Sequence, residues 1–210
     1  MTSVWSASDA AANSMVLTNG GLTVTPSGVA SWQSIRSSIS KTTGKLYIEF
    51  FLPGVVSNSN QLFGLASVGF NPVGLLGLNN YSGGMWPGAS NYVTSGFTSN
   101  YNTTLGAPTQ GDVWALAVDF TVGNLWLAQN NIWANSSNPA TGSLPAISFV
   151  LATTGALLPG MSFNGAGNGV WTLQPTAISQ TYAPPSGFSA WDPSASHFST
   201  GFPDGGVQVT

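Results

Sequence analysis

The stretch Val113-Trp114-Ala115-Leu116-Ala117-Val118-Asp119-Phe120 is apolar at every position but one, and it meets a second apolar run, Asn124-Leu125-Trp126-Leu127-Ala128, across the turn Thr121-Val122-Gly123. An alternating strand can leave one face in water, whereas a strand that is apolar on both faces needs cover on both. The hairpin of residues 112–130 therefore demands a layered fold. The rest of the chain reads in the same way. Glu, Lys and Arg, which fill exposed helix positions, are nearly absent, and the apolar residues recur at period two or in short blocks between Gly, Ser, Thr and Asn.

The step Asn19-Gly20-Gly21 suits positive φ values and predicts a hairpin of residues 14–19 with 22–25. Further strands are expected over 31–39, 44–52 ahead of Pro53-Gly54, 62–70, 75–79, 146–152, 158–163 and 170–173, with a short last one at Thr181-Tyr182. Turn residues spaced about 8 to 12 positions apart favour an all-β fold, an antiparallel two-sheet β-sandwich, over a βαβ arrangement. No internal repeat or shift of composition divides the chain. Residues 1–192 read as one module, and 193–210 as a polar tail, with Phe198 and Phe202 as its large apolar groups, suited to docking on a partner.

Charged residues make up 4% of the 210, against about a quarter in ordinary soluble domains. The cations are Arg36, Lys41 and Lys45, too few for a basic stripe, which excludes nucleic-acid binding through phosphate neutralisation. No apolar run reaches the roughly 18 to 20 residues of a spanning helix. The longest, over 147–161, is broken by Thr153, Thr154, Gly155 and Pro159, so membrane insertion is not expected. The absence of cysteine removes disulfides, thiol nucleophiles and Cys-based metal sites. Met1-Thr2-Ser3-Val4-Trp5 offers neither a basic n-region nor an apolar h-region, so no secretory signal is expected.

Acid–base chemistry has Asp9, Glu49, Asp112, Asp119, Asp192, Asp204 and His197 to draw on. A sandwich glycoside hydrolase would need two carboxylates, here Glu49 and Asp119, about 5 to 9 Å apart across one cleft. The competing reading makes Asp119 the cap of its turn and pairs Glu49 with Arg36 or Lys45. A serine triad would need His197, which follows the last predicted strand, and no G-x-S-x-G elbow occurs. Zinc finds no ligand cluster, and Asp192 with Asp204 matches no calcium-loop spacing. Gly165-Ala166-Gly167-Asn168-Gly169 reads as a hairpin turn, since no helix follows to bind phosphate. No catalytic residue, metal or cofactor is assigned. Residues 80–110 break the strand pattern and are rich in Gly, Ser, Asn and Tyr. Their aromatics Tyr81, Trp86, Tyr92 and Tyr101 are the candidate ligand-binding residues, able to stack on sugar rings or on a protein neighbour. The competing reading makes Tyr81 and Trp86 inward residues of further strands.

The chain also resembles a known family over roughly residues 4–191. Trp5-Ser6-Ala7-Ser8-Asp9 with Val16-Leu17-Thr18-Asn19-Gly20-Gly21-Leu22-Thr23-Val24, then Trp32 with Ser34-Ile35-Arg36, resemble the opening of a SPRY (B30.2-like) domain of the kind found in bacteriophage and prophage structural proteins. Thr43-Gly44-Lys45-Leu46-Tyr47-Ile48-Glu49-Phe50 is similar to its Gly-Lys-x-Tyr-x-Glu strand. The 111–133 segment is similar to its central hairpin, and Asn138-Pro139-Ala140-Thr141-Gly142 and Tyr182-Ala183-Pro184-Pro185-Ser186-Gly187-Phe188 also fit. Asn130-Asn131 departs from the common Lys-Asn-Gly, and residues 76–109 follow no family pattern.

The resemblance implies a concanavalin-like sandwich that binds proteins or glycans, carries no catalytic residues and keeps Glu49 and Asp119 as framework positions. It leads to the expectation of a non-enzymatic virion protein: a capsid decoration or head spike, or a tail-fibre or baseplate tip. Such a chain would be made in the bacterial cytoplasm, assemble with other capsid or tail chains and with copies of itself, and attach to the host surface, glycans included. A carbohydrate-binding lectin-like module and the glycoside hydrolase are the alternatives.

Overall fold

In a computed structural model of the chain, which describes residues 1–27, 31–54, 60–77, 82–85, 97–99, 105–165 and 169–193, the short apolar blocks between turn residues become strands. The order is α1 (Ala7–Ala12), β1 (Met15–Thr18), β2 (Thr23–Pro26), β3 (Gln33–Arg36), β4 (Lys45–Phe51), β5 (Gln61–Ser67), β6 (Ser82–Met85), β7 (Phe97–Ser99), β8 (Val113–Asp119), β9 (Asn124–Gln129), β10 (Ile132–Trp133), β11 (Ile147–Phe149), α2 (Leu151–Thr154), β12 (Leu157–Phe163), β13 (Trp171–Gln174) and β14 (Ser189–Ala190). A ten-stranded sheet runs β1-β2-β13-β4-β8-β9-β11-β7, with β10 beside β9 and β14 beside β4, and a four-stranded sheet runs β3-β12-β5-β6. All pairings between these strands are antiparallel except that of β14 with β4. The all-β two-sheet sandwich expected from the sequence is the fold.

The hairpin that demanded cover has it on both sides. Every residue of β8 is buried. Trp114, Leu116 and Val118 enter the main core between the sheets, while Ala115 and Ala117 face outward, where Tyr47, Trp126 and Phe188 close over them. The register explains the choice of alanine: Ala117 stands between Tyr47 of β4 and Trp126 of β9, and a larger side chain there would collide with two rings. Between the sheets, Phe63 of the small sheet is the centre of an aromatic cluster. Its ring stacks on Trp114 at 4.9 Å and meets Trp171 at 4.8 Å and Phe50 at 5.6 Å edge-on, the offset and T-shaped geometries that aromatic quadrupoles favour.

Three expectations need correction. Residues 75–77 form a turn, not a strand, and 78–79 lie outside the described residues. The turn instead presses Leu76 on the outer face of the small sheet, where a row of glycines, Gly160, Gly64 and Gly84, lies in register across three strands. Space dictates the glycines: a Cβ on Gly64 would sit 2.0 Å from the Gly83 carbonyl oxygen, and one on Gly84 would sit 3.1 Å from Leu76 Cβ. A relay of hydroxyls fastens this turn: Leu76 N–H donates to Ser162 Oγ at 2.8 Å, Ser162 and Ser34 share a hydrogen bond, and Ser34 Oγ donates to the Gly74 carbonyl. The strand expected over 146–152 ends at Phe149, because Leu151–Thr154 coils into one helical turn closed by Gly155 at φ 68°. Thr181-Tyr182 is a bend rather than a strand, for a reason that lies in Glu49.

Truncating the central ring tests this core. Phe63→Ala is expected to lower unfolding stability by about 3–5 kcal/mol, seen as a lower denaturant midpoint at unchanged slope, whereas Val122→Ala, at a side chain 61% exposed, is expected to change it by less than about 0.5 kcal/mol.

Candidate binding surface and the internal use of charge

The few charged groups are spent inside the molecule. Arg36 grips Asp9 through Nε and Nη2 at 2.8 and 2.9 Å, a two-pronged carboxylate contact of the strong, directional kind. Lys45 Nζ lies 2.9 Å from Asp119, and Lys41 Nζ 3.5 Å from Asp192. Asp192 also accepts the Ser3 backbone N–H and, at 3.2 Å, the Ser3 hydroxyl, which fastens the first residues to the end of the sandwich. Asp112 is satisfied by neutral donors: Thr109 N–H, Gln129 Nε2 and Asn130 Nδ2 at 2.7–2.8 Å. Among the described residues every Asp, Glu, Lys and Arg side chain has a partner, and all three cations of the chain hold carboxylates. Little charge remains for an outside partner to read.

Glu49 pairs with neither Arg36 nor Lys45, contrary to the expectation. Its side chain is fully buried and accepts from the Tyr47 hydroxyl at 2.6 Å and from the backbone N–H groups of Thr181 and Tyr182 at 2.5 and 2.9 Å. Backbone donors satisfy a buried carboxylate without a counter-charge, and this is what holds Thr181-Tyr182 as a bend: their N–H groups point to Glu49 instead of joining a ladder. Burial, and then the hydrogen bond to the carboxylate, push the Tyr47 phenol far above its ordinary value.

Glu49 and Asp119 do share the outer face of the large sheet, but they do not form a catalytic pair. Glu49 stands opposite Ala115 while Asp119 stands opposite Lys45, so four residues of rise and one strand spacing set their Cα atoms about 14 Å apart. Tyr47 lies between them, and each carboxylate is taken up separately. Asp119 caps its turn as expected, accepting from Thr121 N–H at 2.9 Å. Burial pulls its carboxyl upward, but the hydrogen bond and charge of Lys45, with the Thr121 N–H, bring it net below the ordinary aspartate value. Asp192 spends its oxygens on Ser3 and Lys41, leaving a calcium role no free carboxylate there. Among the described residues no group of three His, Cys, Asp or Glu could hold a metal, and no helix is long and apolar enough to cross a membrane.

Tyr81, Trp86, Tyr92 and Tyr101 lie outside the described residues, as do His197, Asp204 and the tail from 194 onward. Two described strands flank Trp86 and Tyr92 in the sequence: β6 is an edge strand of the small sheet and β7 an edge strand of the large one. Strand alternation alone gave no sign of these two strands, since both are short and one, Ser82-Gly83-Gly84-Met85, is half glycine.

Sequence reading also missed a pocket of about 540 Å³ beside the edge of the small sheet. There the N-terminal segment runs antiparallel to the extension of β3: Ser6 N–H donates to Arg36 O and Ser38 N–H to Val4 O, both at 2.8 Å, with Trp5 opposite Ser37. The ion pair of Asp9 with Arg36 anchors α1 against β3, and Arg36 Nη1 reaches across to the Val68 carbonyl at 2.9 Å. Two of the residues lining the pocket, Trp5 and Ser37, each bury a polar atom, Nε1 and Oγ, that has no hydrogen-bond partner.

Two facing antiparallel sheets of ten and four strands, the doubly covered hairpin and the C-terminal segment folded over Tyr47 and Trp126 define a SPRY-type β-sandwich. The SPRY domain of human HERC1 is similar over 76% of this chain and 91% of that one, with a TM-score of 0.55 and 15% identity. The PSpry domain of TRIM65 is similar over 82% and 92%, at TM-score 0.54 and 12% identity, and a human SPRY domain over 76% and 93%, at 0.51 and 12%. At these identities the likeness is one of fold. No family model and no curated protein matches the chain.

The lowered carboxyl of Asp119 contributes stability above the ordinary aspartate value, and this is lost as pH falls through the folded-state value. Lys45→Met removes the main lowering influence. The variant is expected to be less stable than wild type at pH 7, with the gap closing below about pH 4; denaturation curves across that range check it.

Proposed function

We propose that this chain is a non-enzymatic structural and binding protein of a phage virion, a capsid decoration or head spike or a tail-fibre or baseplate tip, that works by protein–protein assembly and host-surface attachment. The observation that carries the reading is the internal use of charge: all three cations hold carboxylates within the fold. The surface left for partners is one of hydroxyls, amides, backbone and scattered aliphatics such as Val16, Ile132, Leu144 and Ile178. A surface of that kind suits a protein whose working state is packed against neighbours, since net charge is what keeps free monomers apart. The SPRY-type sandwich supports a scaffold role, and the sequence resemblance to phage-type SPRY domains supports the virion. The separate commitments of Glu49 and Asp119 support a chain without catalytic machinery. In this reading the chain forms homo-oligomers and the 193–210 tail docks on a neighbouring virion protein.

Mass spectrometry of gradient-purified virions is expected to find this chain at stoichiometric abundance; its absence from intact particles would refute the virion role. Because the contacts are uncharged, its retention on particles is expected to vary less than about twofold between roughly 50 and 500 mM NaCl, a range over which screening weakens exposed ion pairs strongly.

A further inference from the structure

The edge of a sheet presents N–H and C=O groups that have no ladder partner, and each edge must be guarded or filled. Two of the four edges here, β6 and β7, adjoin residues outside the described set. A third, β3, is closed: Ser34 N–H donates to the Pro72 carbonyl, Arg36 N–H to Asp9, and the Arg36 carbonyl accepts from Ser6. The fourth, β1, is open. Pro26, opposite Met15, has no N–H to give, and the bond from Ser27 N–H to the Ser14 carbonyl sets the bonded rungs of β1 with β2 at Ser14, Val16 and Thr18. By the alternation of an antiparallel ladder, Met15 and Leu17 turn their N–H and C=O groups away from β2. Among the described residues these four groups have no partner. The strand also lacks the usual guards, having no charged residue, no proline and an unbroken register.

Residues 207–210 fit this edge. Val207-Gln208-Val209-Thr210 alternates apolar and polar at period two, carries no charged side chain and follows the turn sequence Pro203-Asp204-Gly205-Gly206. Met15 and Leu17 point their side chains to the core, while Val16 stands 52% exposed on the outer face. Set antiparallel with Val207 opposite Leu17 and Val209 opposite Met15, the segment makes four main-chain hydrogen bonds, lays both valines on the core side and leaves Gln208 beside Val16 on the outer face. A slip of one residue would turn Gln208 and Thr210 inward. The tail also leaves the sandwich on the correct side. Asp192 holds Ser3, and Trp5 N–H donates at 2.8 Å to the carbonyl of Gly21, in the turn that ends β1. From there residues 194–206 span up to about 45 Å, which reaches the edge of the same copy or of a copy packed beside it. We infer that residues 207–210 of one copy add as a fifth layer of ladder bonds to β1 of the next copy, by strand addition. This rests on the reading of the chain as one that assembles with itself, which selects the neighbour's edge over its own, and it names the partner of the tail. Each copy gives one strand and receives one, the head-to-tail contact from which rings are built.

The chain has no cysteine, so introduced thiols report the pairing. In this register Val16 and Gln208 face each other as a pair without mutual hydrogen bonds, with Cα atoms about 4.5 Å apart, within disulfide range. Val16→Cys and Gln208→Cys proteins, mixed and mildly oxidised, are expected to give the mixed disulfide about tenfold or more above a mixture of Ile178→Cys with Gln208→Cys, where Ile178 is a side chain 65% exposed. The double variant is expected to link between copies. In sedimentation velocity the full chain is expected to run as an oligomer, and a chain ending at Gly206 as a monomer with the same thermal midpoint. Crosslinking no better than the Ile178 control, an intramolecular disulfide in the double variant, or equal sedimentation of the full and shortened chains would each overturn the proposal. Its failure is separable from that of the virion reading: a chain present in virions that fails these tests loses only the strand site, and strand exchange in a chain absent from virions removes only the virion role.

Discussion

The fold depends on one constraint: strands β4, β8 and β9 carry apolar side chains on both faces and cannot tolerate water on either. The small sheet covers one face through Phe63, Ile35 and Met161. The other face is closed by Phe188 and Trp133 over Tyr47 and Trp126. Most of what is irregular in the molecule follows from making that second cover. The chain must leave the sheet after β13, cross the outer face and return as β14 alongside β4. A crossing segment has backbone donors without ladder partners, and Glu49 supplies the acceptor for two of them.

Charge is therefore used here as structural glue. Asp9 with Arg36 fixes the first helix to β3, Asp192, paired with Lys41, holds Ser3 at the start of the chain, and Lys45 with Asp119 closes the turn of the central hairpin. Partly buried pairs of this kind hold register and orientation, and removing one partner leaves the other stranded. On the function proposed above, a chain that spends its charges in this way recognises neighbours by shape, hydroxyls and apolar contact.

Much of this was legible in the sequence. The apolar run of β8 required two covers, and the Asn-Gly step located the first hairpin, which forms with Thr18 opposite Thr23. The misreadings share a cause. Residues 75–77 and 181–182 have strand-like composition, but their backbone N–H groups donate to side chains from distant parts of the chain, Leu76 to Ser162 in one case and Thr181 to Glu49 in the other. Local pattern contains no information about such partners. The pocket was invisible for the same reason: Trp5 and Ser37 are 32 positions apart and Val68 another 31, and nothing in their own neighbourhoods marks them.

By itself the sequence determined the class of fold, because period-two burial and turn chemistry act over a few residues and are written locally. It also determined that the surface would be nearly uncharged, because composition alone sets how many charges exist. Only the tertiary structure decided where those charges go. That Glu49 serves two backbone amides, that Asp119 lies about 14 Å from it, and that Trp5 and Ser37 bury unpaired polar atoms beside one pocket are consequences of long-range packing. Such contacts exist only once the two sheets have closed on each other.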